Sequence, residues 1–142
     1  MELTTHRMLN CGIELACVEL PGRHAAALEF RFLAGTAHEP PEYLGLAKLV
    51  QETIELGTEK YDGRGLSDCF DEIGASHTSW VGRESSGYNC VVLPEFLERA
   101  IELHAEFLRT PTFPDDTIQV AVDLGKQELN ALQDDSQGFA DK

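Results

Sequence analysis

Residues 44–58, LGLAKLVQETIELGT, constrain this chain more than any other stretch. Leu46, Leu49, Val50, Thr53 and Ile54 recur at helical spacing and give one apolar side. Lys48, Gln51, Glu52 and Glu55 fall on the polar face. Gly57 stands where a helix of this length needs a C-terminal cap. The preceding loop, residues 36–43 (TAHEPPEY), carries Pro40 and Pro41, which exclude regular structure there. A helix with one apolar face needs another layer to cover it, so the flanking segments have to supply a sheet or further helices.

The flanks supply both. Residues 4–9 and 13–20 alternate as two strands, with the turn chemistry of a hairpin at Asn10, Cys11 and Gly12. Pro21 and Gly22 break the second strand. Residues 25–33 give a third, with Ala27, Glu29 and Arg31 on one face and Leu28, Phe30 and Phe32 on the other. After the helix, residues 65–73 predict a second one, with Leu66, Cys69, Phe70 and Ile73 inward and Gly74 as its stop. Residues 75–81 and 86–93 read as two further strands around Gly82, Arg83 and Glu84. Pro94 opens a third helix with an apolar stripe of Phe96, Leu97, Ala100, Ile101, His104, Phe107 and Leu108. Asp115 or Asp116 caps a fourth, whose apolar arc is Ile118, Ala121, Val122, Gly125, Leu129 and Leu132. The order βββααββαα predicts an α+β sandwich, an antiparallel or mixed sheet with helices packed on one face.

Bulk properties narrow the function. The chain has 142 residues, 42% hydrophobic and 25% charged, which suits one domain over residues 1–142 with a sizeable core. A formal net charge of −14 argues against nucleic-acid backbones and anionic membrane surfaces as partners. Cys11, Cys17, Cys69 and Cys90 show no C-x-x-C spacing and are expected to be reduced thiols. No run reaches membrane-span length, and the N-terminal MELTTHRML has no signal-peptide pattern, so the expected location is cytoplasmic. His6, His24, His38 and His104 have no ligand spacing to one another, and His104 reads as a packed core histidine. Ser85 and Ser86 lack a spaced His and Asp, and Asp62-Gly63-Arg64-Gly65 is a helix-entry turn rather than a phosphate loop.

Several pieces then fall into a known order: NCGIEL, LAGTAHEPPEYLGLA, ELGTEKY, DEIGA, VLPEFL and TPTFPDD. Together they resemble the N-terminal domain of the pitrilysin-like (insulinase-type, mitochondrial-processing-peptidase-like) zinc peptidases. The resemblance implies the sandwich shared by LuxS-type metalloenzymes and processing peptidases. Active members carry His-x-x-Glu-His on the first long helix. Two histidines four residues apart share one zinc ion, and the glutamate between them is the general base toward zinc-bound water. In register, the first histidine falls on Lys48, the glutamate on Gln51 and the second histidine on Glu52. The third ligand, a later glutamate, is retained as Glu128, and a further acidic position falls on Ala121.

A protonated lysine repels zinc, and a glutamine accepts no proton. The resemblance therefore implies a degenerate, non-catalytic member with no cofactor of its own, zinc being expected only in a catalytic partner. Such a pseudo-peptidase would shape a substrate chamber beside a catalytic homologue or a second copy, with peptide as the substrate. Thr78, Ser79 and Trp80, next to His77, correspond to the substrate groove of active relatives, where peptide adds as a strand. Two readings of Lys48 follow: Lys48, Gln51, Glu52 and Glu55 are simply a solvated helix face, or the Lys48 ammonium occupies the vacated metal position and bridges Glu52 and Glu128. The alternatives are an active metallopeptidase that uses Glu52, Glu128 and an outside ligand, and a structural core-type subunit. Lobes of this family continue beyond the Glu128 helix, so the domain is expected to be incomplete at its C-terminal end, with exposed edges that favour self-association.

Overall fold

Every second side chain of the strand Ser86–Val92 is buried: Ser86, Tyr88, Cys90 and Val92. That alternation places this strand between a helical layer and an open face. The computed structural model describes residues 3–134. In chain order its elements are β1 (Leu3–Met8), β2 (Glu14–Glu19), β3 (Ala26–Phe32), α1 (Leu46–Thr53), α2 (Gly63–Glu72), β4 (Ser76–Val81), β5 (Ser86–Val92), α3 (Leu97–Arg109) and α4 (Asp115–Asp134). The protein is α+β, with antiparallel sheets and α-helices.

β5 is the middle strand of a three-stranded sheet, order β3-β5-β4, antiparallel throughout. The expected single sheet is corrected: among the described residues β1 and β2 pair only with each other, as a separate two-stranded sheet. All of β2 is exposed among the described residues, including Leu15 and Val18, so its alternation does not mark a face buried by them.

The core lies between β5 and the helices. Leu66 and Phe70 come from α2, Ala100, Leu103, His104 and Phe107 from α3, and Tyr88, Cys90 and Val92 from β5. Tyr88 meets Phe107 edge-on at 5.5 Å. Burying a side chain such as Phe107 contributes roughly 2–3 kcal/mol. The stripe of α3 is turned from the expected one: Leu103 is buried and Ile101 is exposed. Ala100, Leu103, His104 and Phe107 keep the 3-and-4 spacing, and Ile101 lies off it.

On the open side of the sheet, Glu29, Asn89 and Thr78 form one row, and Arg31, Gly87 and Trp80 the next. The Trp80 indole lies across Gly87, where a Cβ would fall 2.6 Å from Trp80 Nε1, so only glycine admits that packing.

α1 is shorter than its sequence pattern. It ends at Thr53 with Ile54 as the capping residue, so Gly57 is not its cap. Gly57 instead bridges to Asp62, and a Cβ there would lie 2.7 Å from Thr112 Oγ1. Close approach of two chain segments, rather than helix termination, is what this glycine serves. Leu46, expected inside, is exposed. At the other end of α1 the Glu39 carboxylate accepts hydrogen bonds from the Gly45 and Ala47 amides at 2.9 and 2.8 Å. A carboxylate there satisfies orphan donors and complements the helix dipole. Pro40 and Pro41 do not exclude regular structure: short 3₁₀ turns occupy Thr36–His38 and Pro41–Tyr43, since proline's fixed φ suits a helical first position. Among the described residues no helix is long and apolar enough to cross a membrane.

Candidate functional site

α1 lies between β4 and α4, so its polar face meets a strand on one side and a cleft on the other. Lys48 Nζ stands 2.7 Å from Glu52 Oε1 one turn on, and 3.5 Å from Gln51 Oε1. The Gln51 amide turns toward the sheet and donates to Ser79 Oγ at 2.8 Å. One turn further, Glu55 Oε2 is 3.4 Å from His77 Nε2. Lys48 and Glu52 thus pair with each other, and Gln51 and Glu55 with β4.

Glu128 lies on the cleft side. It lines a cavity of about 400 Å³ together with Glu52, Asp116, Leu56, Val120 and Leu124. Of the two readings of Lys48 the bridge is not formed: Lys48 pairs with Glu52 on a half-exposed face, while Glu128 is exposed and takes part in no ion pair among the described residues. The i, i+4 geometry of one helix brings Lys48 and Glu52 together at little cost, whereas Glu128 projects from a separate helix into solvent. Ala121, at the second acidic position, is buried.

These side chains do not make a zinc donor set. No imidazole stands on the α1 face, Glu52 is already paired with an ammonium, and Glu55 turns to His77 of β4. Among the described residues no group of three or more His, Cys, Asp or Glu side chains could hold a metal ion. Gln51 offers an amide, which takes no proton from water. A second cavity of about 220 Å³, near Gly35 and Ser86, has His38, Glu39 and Tyr88 as its titratable lining, and Glu39 is engaged at the start of α1.

The groove candidates are split by the period of the strand. Ser79 faces inward to Gln51. Thr78 and Trp80 face outward, where Thr78 Oγ1 donates to Asn89 Oδ1 at 2.7 Å and Trp80 Nε1 to Glu29 Oε1 at 3.2 Å. The Arg31 guanidinium lies 5.4 Å from the centre of the Trp80 ring. β4 bonds to β5 on one side, and its other edge is unpaired among the described residues. His104 is a packed core histidine, its Nδ1 2.8 Å from the Ala100 carbonyl. Glu55 and His77 were not singled out as a pair. The signal was available: Glu55 shares a helix face with Gln51, and His77 shares a strand face with Ser79.

With that geometry in place, the chain can be set beside known proteins. Residues 15–141 match the family model described as Insulinase (Peptidase family M16). The chain belongs to the insulinase-type peptidase family. It is 22% identical over 123 residues to the uncharacterized zinc protease YmxG of Bacillus subtilis, covering 87% of this chain and 30% of that protein. It is 25% identical over 100 residues to a protein named as a mitochondrial-processing peptidase subunit beta of Arabidopsis thaliana, covering 70% of this chain and 19% of that one. The solved structure of a protease from Helicobacter pylori superposes with a TM-score of 0.88 at 15% identity, over 98% of this chain and 34% of the other. The fold is therefore that of part of this protease. The chain spans less than a third of the length of these two family relatives.

Proposed function

We propose that this chain is a non-catalytic lobe of an insulinase-type zinc peptidase, one that shapes a substrate chamber for a catalytic partner. The observation that carries the proposal is the closed polar network on α1. Lys48 is neutralised by Glu52 at 2.7 Å, and Gln51 is bound to Ser79 at 2.8 Å. Zinc at this position would have to displace an ammonium and find imidazoles that the helix lacks. The finer fold proposal is a processing-peptidase-like sandwich with the element order βββααββαα.

The free edge of β4 supports a role in holding extended peptide, because strand addition uses backbone groups rather than the missing side chains. The partner we propose is a catalytic homologue or a second copy of this chain. A relative named as a beta subunit supports an assembly of related chains. We further propose a cytoplasmic location, which the free thiols of Cys11, Cys17, Cys69 and Cys90 support. Any zinc of such an assembly would sit in the partner.

The test is metal analysis of the purified chain, with peptide cleavage assayed with and without chelator. The proposal expects no bound zinc and no cleavage by the chain alone. Mixing with a family member that has an intact His-x-x-Glu-His should raise that member's peptidase rate. Stoichiometric zinc with chelator-sensitive cleavage by this chain alone would establish the alternative, an active metallopeptidase using Glu52, Glu128 and an outside ligand.

A further inference from the structure

We propose that Glu55 and His77 form a proton-operated clasp that holds the edge strand β4 against α1. His77 faces the helical layer, since it pairs across the sheet with the buried Cys90. Its Nε2 is 3.4 Å from Glu55 Oε2, and the two side chains are only 26% and 25% exposed. The imidazole lies on the ring of Phe70 from α2, centroids 4.2 Å apart and planes at 26°. That stacking fixes the plane in which the nitrogen meets Glu55.

The clasp is one of two ties between the same elements. Gln51 donates to Ser79, four residues before Glu55 in the chain and two after His77 on the strand. Gln51 is in the last turn of α1 and Glu55 in the turn that follows Ile54. The ties join this end of α1 to β4, and the chain runs in opposite directions along the two sides. They differ in chemistry: the amide-to-hydroxyl tie is neutral at every pH, whereas the carboxylate-to-imidazole tie depends on a proton.

The surroundings set the direction of that dependence. Glu55 faces His77 from the turn after α1, Asp71 from α2 and His104 from α3, while Cys90 is its neighbour on β5. The hydrogen bond to Glu55 raises the affinity of His77 for its proton above the ordinary value of 6.5, against the opposing effect of burial. Burial lowers that of His104 and raises the Cys90 thiol. The folded-state value of His77 is raised, so its stabilisation is complete below 6.5 and is lost as pH rises through the folded midpoint. Losing the proton removes the charge that strengthens the bond. The edge that opens or tightens is the unpaired side of the three-stranded sheet.

The clasp goes beyond the proposed function and stands without it; only its use in admitting a peptide strand rests on that reading. Imidazole NMR titration of the chain, native and Glu55→Gln, tests it together with amide hydrogen exchange of β4. The native His77 midpoint is expected above 6.5, with a downward shift in Glu55→Gln. The β4 amides should lose protection in a step at the native His77 midpoint, a step absent from Glu55→Gln. Gln51→Ala should weaken β4 protection by a similar factor at every pH and leave the His77 midpoint in place. A native midpoint at or below 6.5, equal midpoints in the two proteins, or native β4 protection without the step would each overturn the clasp. The two native measurements decide the matter even if Glu55→Gln fails to fold. A working clasp in a chain that binds no peptide would refute the proposed function alone.

Discussion

The core between β5 and α3 and the cleft between α1 and α4 are both lined by amphipathic helices, yet their polar groups behave in opposite ways. In the core Thr53 donates to the Leu49 carbonyl, and His104 is tied to that of Ala100. Among the described residues no buried side-chain nitrogen or oxygen lacks a partner. In the cleft, Glu128 and Asp116 stand in solvent beside the exposed Val120 and Leu124. Buried positions are held by volume and by the cost of unpaired polar atoms. Lys48 is more than half exposed, so a change there costs the fold little. A chain can thus exchange the chemistry of a half-exposed face while keeping the packing beneath it.

Placing the His-x-x-Glu-His motif on the α1 face gives the largest expected effect. Lys48→His, Gln51→Glu and Glu52→His together place two imidazoles and a carboxylate on α1, with Glu128 across the cleft. Equilibrium dialysis should then show about one zinc per chain where the native protein retains none. A triple variant that folds but binds no zinc would show that the cleft, as well as the motif, has diverged. Breaking the core comes next: Phe107→Ala should lower the unfolding free energy by about 3–5 kcal/mol, read from the urea midpoint. Gln51→Ala should cost about 1 kcal/mol, because it removes one side-chain bond to Ser79. The pH dependence should be gentler than the Phe107 loss. Stability falls as pH rises from 6.5 through the raised His77 midpoint, and Glu55→Gln flattens that decline. Lys48→Met should change stability by less than about 0.5 kcal/mol, since a half-exposed i, i+4 pair is screened by water. A cost as large as that of Phe107→Ala would erase the contrast between core and cleft.

Much of this was legible in the sequence for local reasons. The switch from period two to period 3.6 located the elements, because backbone geometry alone sets those periods. Phe70, Leu66 and His104 read as inward on their helices and are buried. Lys48, Gln51 and Glu52 fell in register with a zinc motif because glycines flank the helix on both sides. Other positions were misread where two local rules compete. Gly57 looked like a cap and serves a close approach. Leu103 was passed over because Ile101, two residues away, suggested a different stripe.

By itself the sequence determined which segments are strands and which are helices, and that no histidine stands on the α1 face, since these depend on residue identity and spacing along one segment. Only the tertiary structure decided that the N-terminal hairpin forms its own sheet. It also decided that Gln51 and Glu55 reach Ser79 and His77 rather than solvent, and that Lys48 pairs with Glu52 while Glu128 stands apart. A hydrogen bond or ion pair between elements needs two groups within about 3 to 4 Å. Such distances follow from how whole layers pack, and no local spacing encodes them.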